Sequence, residues 1–210
     1  MHIKRNTIPK TWPLERKGTK YLIRPEHGFS NGIPVLIVLR EILQVVQNRK
    51  EAKRVLLEGK IKVNGKIIKE EKFPLTMFDV LSIEGKNLRM GFENKKFSFK
   101  EISGKEAEEK TVKVIGKKLL SGKRIQVNLS DGRNMITNEK ITIGSSVVLG
   151  LKENKIRKIH ETKKGGKIMV LKGKHLGKEG KIEEIEEDMA TINFGEEKSK
   201  VKLENLIVIE

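Results

Sequence analysis

The chain contains no cysteine. That excludes disulfides, thiolate zinc sites and cysteine nucleophiles together, and it fits a reducing interior. Aromatic residues are scarce: Trp12, Tyr21 and seven phenylalanines among 210 residues. Proteins that grip single strands need exposed stacking platforms, and this chain has few to offer. Long apolar runs are absent as well. The longest, Val35 to Leu39, falls far short of the ~20 residues that span a bilayer. The opening MHIKRNTIPK lacks the apolar core of a signal peptide, and neither end carries a lipidation signal. A cytoplasmic protein with no membrane partner is expected. Acids are outnumbered, 28 against 45 lysines and arginines, for a net charge of +17. Such an excess repels itself in a compact chain, and a large polyanion relieves that repulsion.

Catalytic constellations are equally sparse. His2, His27, His160 and His175 lack the spacing of a metal pair on one helix or hairpin. The stretch GKKLLSGKR (116–124) imitates a phosphate-binding loop. It has five residues between its glycines rather than four, and Arg124 stands where a hydroxyl must hold magnesium. It reads as a basic turn. Asp79 is expected to cap a turn before Val80, and Asp131 to sit in a hairpin turn. Glu183 and Glu184 read as a solvated face. No enzyme, metal, cofactor or small-molecule substrate is expected.

What is present is basic and segmented. Hydrophobic residues make up 36%, enough for several small cores rather than one large one. Residues 1–35 hold four of the five prolines, with Lys4, Arg5, Lys10, Arg16, Lys17, Lys20 and Arg24 over 1–24 against Glu15 alone. No helical or strand period is visible, so an extended basic arm is expected, ordering against a polyanion. PVLIVLREILQVVQ (34–47) predicts a buried helix. NRKEAKRVLLEG predicts a second one, capped by Asn48 with Glu51 three residues on, lined inside by Ala52, Val55 and Leu56, and ended by Gly59. Arg49, Lys50, Lys53 and Arg54 crowd its first two turns, where positive charge opposes the helix dipole. A cluster placed at such a cost points to a partner, and replacing all four by alanine is expected to weaken that attraction without unfolding the chain.

KIKVNGKIIK (60–69) carries Asn64-Gly65, the dipeptide of a two-residue type I′ hairpin turn. Lys60, Lys62, Lys66 and Lys69 alternate with apolar residues, so one basic face is expected, and a strand follows at Val80 to Ile83. From 86 to 160 short apolar pieces (RMGF, KFSF, VKVI, RIQVNL, SSVVLGL, KIRKI) alternate with turn signals, which predicts strands of a small barrel or sandwich. The acid-rich 104–110 reads as a connector. In VLKGKHLGKEGKIEEI (170–185), Gly173 and Gly177 would shape a tight loop, and Gly180 would start the returning strand or sit at a bulge. Strands at 168–171, 180–185, 190–194, 200–203 and 206–209 would complete a five-stranded barrel.

GGKIMVLKGKHLGKEGKIEEI resembles the KOW motif of ribosomal proteins and transcription elongation factors. Residues 36–85, ending in VNGKII…FPLTMFDVLSI, resemble a two-helix-plus-hairpin RNA-binding module, with Phe78 where related modules often have glycine. The start, HIKRNTIPKTWPLERKGTKYLIRPEHG, resembles the arm of the archaeal and eukaryotic small-subunit ribosomal protein four family, which has this order of parts. The resemblance implies an α+β, mostly β chain: arm 1–35, helical RNA module with hairpin and following strands 36–103, central β domain 104–163, and SH3-like KOW barrel 164–210. It implies a ribosome-bound structural component that contacts small-subunit ribosomal RNA and neighbouring ribosomal proteins. The candidate RNA contacts are the seven arm bases with Trp12; Arg49, Lys50, Lys53 and Arg54; Lys60, Lys62, Asn64 and Lys66; and Lys172, Gly173, Lys174, His175 and Lys178. The alternatives are a KOW transcription or translation factor acting off the ribosome, and an RNA-modifying enzyme.

Overall fold

The computed structural model describes residues 2–27, 32–122, 124–195 and 197–209. The chain divides into two compact units, residues 1–108 and 109–210.

In the first unit, β1 (His2–Lys4) pairs antiparallel with β2 (Tyr21–Ile23). The arm therefore folds instead of remaining extended. Trp12 anchors it: its side chain is 2% exposed and its indole N–H donates to the Gly32 carbonyl at 3.2 Å. Arg5 ties the loop together, donating to the carbonyls of Thr19 and Glu15, each at 2.7 Å. No periodicity announced this, because one large indole and one guanidinium hold the segment.

The first predicted helix is shorter than 34–47. β3 (Gly32–Pro34) leads into one α-turn, α1 (Val35–Ile37), and then a π-turn over Val38–Ile42. Gln44 turns left-handed at φ 53°. That reversal carries Val46 into the core, so burial of one more apolar side chain wins over a further helical turn rich in β-branched residues. The second helix, α2 (Arg49–Leu57), starts as expected: Glu51 N–H donates to Asn48 Oδ1 at 3.0 Å. The reciprocal bond lands one residue early, from Gln47 N–H to Glu51 at 2.8 Å. Ala52 and Leu56 are buried and Gly59 ends the helix at φ 72°.

The main sheet of this unit has the order β5-β4-β7-β8-β9, comprising β4 (Ile61–Val63), β5 (Lys66–Ile67), β7 (Val80–Ile83), β8 (Lys86–Glu93) and β9 (Lys96–Glu101). β6 (Pro74–Thr76) pairs instead with β3. Asn64 and Gly65 both take positive φ, 51° and 78°, as the type I′ turn requires. Phe78 also lies in the left-handed region, at φ 63°, the conformation glycine adopts freely. Asp79 caps that turn through Thr76 N–H at 2.6 Å and the Thr76 hydroxyl at 2.8 Å.

The second unit holds two five-stranded antiparallel sheets. The first runs β12-β11-β10-β13-β14, from β10 (Glu109–Leu119), β11 (Ile125–Leu129), β12 (Asn134–Thr137), β13 (Ser146–Gly150) and β14 (Lys155–His160). Asp131 lies in the β11–β12 turn, paired with Lys110 at 3.2 Å. The second sheet runs β18-β17-β16-β15-β19, from β15 (Lys167–Val170), β16 (Glu179–Glu186), β17 (Met189–Asn193), β18 (Lys198–Lys202) and β19 (Leu206–Val208). Each sheet encloses its own core, Val112 to Leu149 in one and Ile168 to Val208 in the other.

A buried lysine joins the two sheets. Lys113 on β10 is 6% exposed and donates from Nζ to the carbonyls of Leu203 and Leu206, at the entry to β19. Burial pushes its pKa down to about 8 from 10.5. Between those two values the unfolded chain binds one more proton than the folded one. Stability therefore rises with pH across the window, at up to ~1.4 kcal/mol per unit, and the burial cost is borne in full below pH 8. Urea unfolding from pH 7 to 10 should show this rise, and Lys113→Met should remove it. A slope identical in the two proteins would show that Lys113 does not titrate differently on folding.

Candidate nucleic-acid interface

The cations of α2 are not equivalent. Arg49 folds back on Glu71, donating from Nε at 2.8 Å and 3.1 Å and again through its terminal nitrogen. The Glu71 side chain is only 7% exposed, against 57% for Arg49. These hydrogen bonds, acting against burial, hold the Glu71 carboxyl below its usual range. Arg54 is tied to Glu58 at 3.0 Å, and Lys60 to the same carboxylate at 2.8 Å. Lys53 reaches Glu71 only at 4.0 Å, and Lys50 has no ion pair among the described residues. The exposed helix thus offers Lys50 unpaired and Lys53 only loosely held by Glu71, while Arg49 is structural as well as cationic. Replacing all four basic residues would also unpair a buried carboxylate.

The hairpin lysines are exposed but do not share one face. The two-residue turn sets Lys62 opposite Ile67 and Val63 opposite Lys66. Cross-strand partners share a face, so Lys62 and Lys66 point to opposite sides. Asn64 is buried: its amide donates to Asp79 at 2.6 Å and its oxygen accepts from Val80 N–H at 3.0 Å. Asn64 and Trp12 are therefore parts of the scaffold, and neither offers a surface to a partner. Lys4, Lys10, Arg16, Lys17, Lys20 and Arg24 are exposed, whereas Arg5 is half-buried in its own loop.

The glycine-shaped loop lies between β15 and β16. Gly177 N–H donates to the Val170 carbonyl at 2.8 Å and Val170 N–H to the Lys178 carbonyl at 3.1 Å. Gly173 and Gly177 adopt φ 99° and 79°. This closure leaves Lys172, Gly173 and Lys174 exposed at the tip. His175 turns back and stacks on Phe194, with ring centroids 5.0 Å apart, and Lys178 lies over the same ring at 5.8 Å. Gly180 stands at the start of the returning strand β16, and no bulge falls on it: the irregularity in β16 lies between Ile182 and Glu184. Crowding is what demands glycine there. A Cβ on Gly180 would lie 2.6 Å from Ile192 Cγ2 and 2.7 Å from the Asn193 carbonyl oxygen.

One grouping escapes the sequence. β1, β2, α1 and the start of α2 enclose a cleft of about 310 Å³ lined by His2, Tyr21, Arg40, Arg49 and Lys72 with Leu36. Arg40, Lys72 and Tyr21 carry no local signal of a shared site, because they lie far apart along the chain. No cluster of three metal-ligating side chains exists among the described residues, and no helix among them is long and apolar enough to cross a membrane.

Exposed cations on a helix, a hairpin and a glycine-shaped barrel loop suit a polyanion, and the relatives of this chain make it a structural, non-enzymatic RNA-binding protein. Comparison with known proteins gives the family. Residues 84–156 match the ribosomal family S4e, 41–81 the S4 domain and 164–194 the KOW motif. The small ribosomal subunit protein eS4 of Methanocella arvoryzae is 37% identical, over 88% of this chain and 80% of that protein. That of Archaeoglobus fulgidus is 30% identical, over 100% of this chain and 92% of its own. The crystal structure of the 30S ribosomal protein S4e from Thermoplasma acidophilum superposes with a TM-score of 0.75 at 27% identity, covering 85% of this chain and 95% of that one. The chain belongs to the eS4 family. Its fold is α+β and mostly β, as the resemblance implied, and family membership favours the ribosomal reading over a KOW factor acting off the ribosome.

Proposed function

We propose that this chain braces folded ribosomal RNA in the small subunit through phosphate contacts made by exposed cations on three mounts: the arm loop, α2 with its hairpin, and the Lys172–Lys174 tip. As a member of the eS4 family it is a structural component of the small ribosomal subunit. The observation that carries the finer reading is that Lys50, Lys172 and Lys174 have no acidic partner among the described residues, although acids neutralise many other lysines in the chain. Short rigid elements carrying point charges suit a folded RNA read by shape and phosphate position. The division of labour follows the segments 1–35, 36–103, 104–163 and 164–210. Neighbouring ribosomal proteins would meet the surfaces left between RNA contacts, and the protein would reside on cytoplasmic ribosomes. Sucrose-gradient sedimentation of a lysate tests the reading: the protein should travel with small-subunit particles and leave them at high salt. A signal confined to the soluble fractions would overturn it.

A further inference from the structure

The cleft between the arm and the helical module joins features that phosphate binding alone does not need. Three cations line it, Arg40, Arg49 and Lys72, and so does the chain's single tyrosine, Tyr21, which is 47% exposed. Arg49 and Arg40 are held in place by Glu71 and by Glu41, the latter at 2.8 Å, while Lys72 has no ion pair among the described residues. The Tyr21 ring is steadied by an edge-to-face contact with His2, with centroids 4.7 Å apart at 74°, and Lys20 Nζ lies 5.5 Å from its centroid. A tyrosine fixed in a strand, exposed and surrounded by positive charge, is the arrangement on which an unstacked base rests. The cleft's volume of about 310 Å³ meets the lower bound of small-ligand sites, ~300 Å³.

We propose that this cleft receives one extruded nucleotide of the RNA, its base stacked on Tyr21 and its phosphate held by Lys72 and the outer edges of Arg40 and Arg49. The chemistry is an unpaired nucleotide, not a continuous single strand, because among the described residues Tyr21 is the one large aromatic side chain lining the cleft. The proposal rests on the RNA-binding reading above and adds a base-stacking contact to it. It also gives the folded arm a purpose: β2 places Tyr21 against the module, where an extended arm could not.

Binding of the full chain to small-subunit ribosomal RNA separates the two ideas. Tyr21→Leu should weaken binding roughly tenfold with an unchanged slope against salt, since no cation is removed. Tyr21→Phe should bind as the wild type does. Lys72→Ala should lower both affinity and slope. Equal affinity of Tyr21→Leu and wild type would overturn the nucleotide site and leave the phosphate contacts standing; failure of the wild type to bind would overturn both. A second readout needs no variant. Fluorotyrosine incorporation gives one fluorine resonance, which saturating RNA should shift upfield by ring stacking. A resonance unmoved by RNA, or moved equally by inorganic phosphate, would overturn the site.

Discussion

Raising salt from 50 to 200 mM should lower the affinity of this protein for small-subunit ribosomal RNA by roughly 10³–10⁵, the drop expected when ~6–10 phosphates are contacted. The choice of cations makes the test specific. Lys50 and Lys53 stand exposed on α2, and Lys172 and Lys174 at the barrel loop. Changing either pair to alanine should flatten the slope of log affinity against log salt by about 0.7–0.9 for each phosphate no longer neutralised. The unfolding midpoint should not move for Lys172 and Lys174, on which no buried group among the described residues depends. It should fall only slightly for Lys50 and Lys53, since Lys53 meets the buried Glu71 at 4.0 Å while Arg49 keeps that carboxylate hydrogen-bonded. Arg49→Ala is the contrasting control. It removes the hydrogen bonds of a buried carboxylate, Glu71, and should cost about 1–3 kcal/mol of stability. Filter binding across a salt series, alongside urea unfolding, reads both. A slope unchanged by both lysine pairs would remove α2 and the loop tip from the interface.

Gly180→Ala should destabilise the C-terminal barrel by about 3 kcal/mol or more, at the upper end of overpacking costs. The added methyl would meet the Asn193 carbonyl oxygen and Ile192 Cγ2 at under 3 Å. The carbonyl is backbone and cannot move without the strand, and Ile192 is fully buried. β16 and β17 would have to separate. Gly173→Ala is the instructive comparison. Among the described residues nothing lies within 4 Å of an added Cβ, but φ is 99°, so its cost is backbone strain of about 1–2 kcal/mol, confined to the loop. Hydrogen exchange distinguishes the two: Gly180→Ala should expose amides of β16 and β17, Gly173→Ala only those of 171–178. Full protection of β16 in Gly180→Ala would show that the strands have room for a side chain.

The glycines show how legibility depends on locality. Gly173 and Gly177 shape a loop through their own φ, so the sequence announces them. Gly180 opens a strand, which is legible, but it is required by residues twelve and more positions away, and that reason is not. The same contrast runs through the helical module. The Asn48 cap and the Asn64-Gly65 turn are settled within four residues and can be read directly. The length of the first helix cannot, because burial of Val46 ends it. Short apolar pieces mark β8–β11, β13 and β14; β12, with alternate side chains exposed, leaves no such mark.

The sequence by itself determined that this protein is basic, cysteine-free and built from short helical and strand segments around several small cores, because charge excess, turn dipeptides and strand alternation are properties of neighbouring residues; that its polyanion is RNA came from resemblance to a family. Only the tertiary structure decided that the arm is pinned by Trp12, that Arg49 serves Glu71, that Lys113 joins two sheets, and that Tyr21 and Lys72 line one cleft. Each of those depends on burial or on a contact between distant positions, and side-chain chemistry written along one dimension does not say which groups folding will bring together.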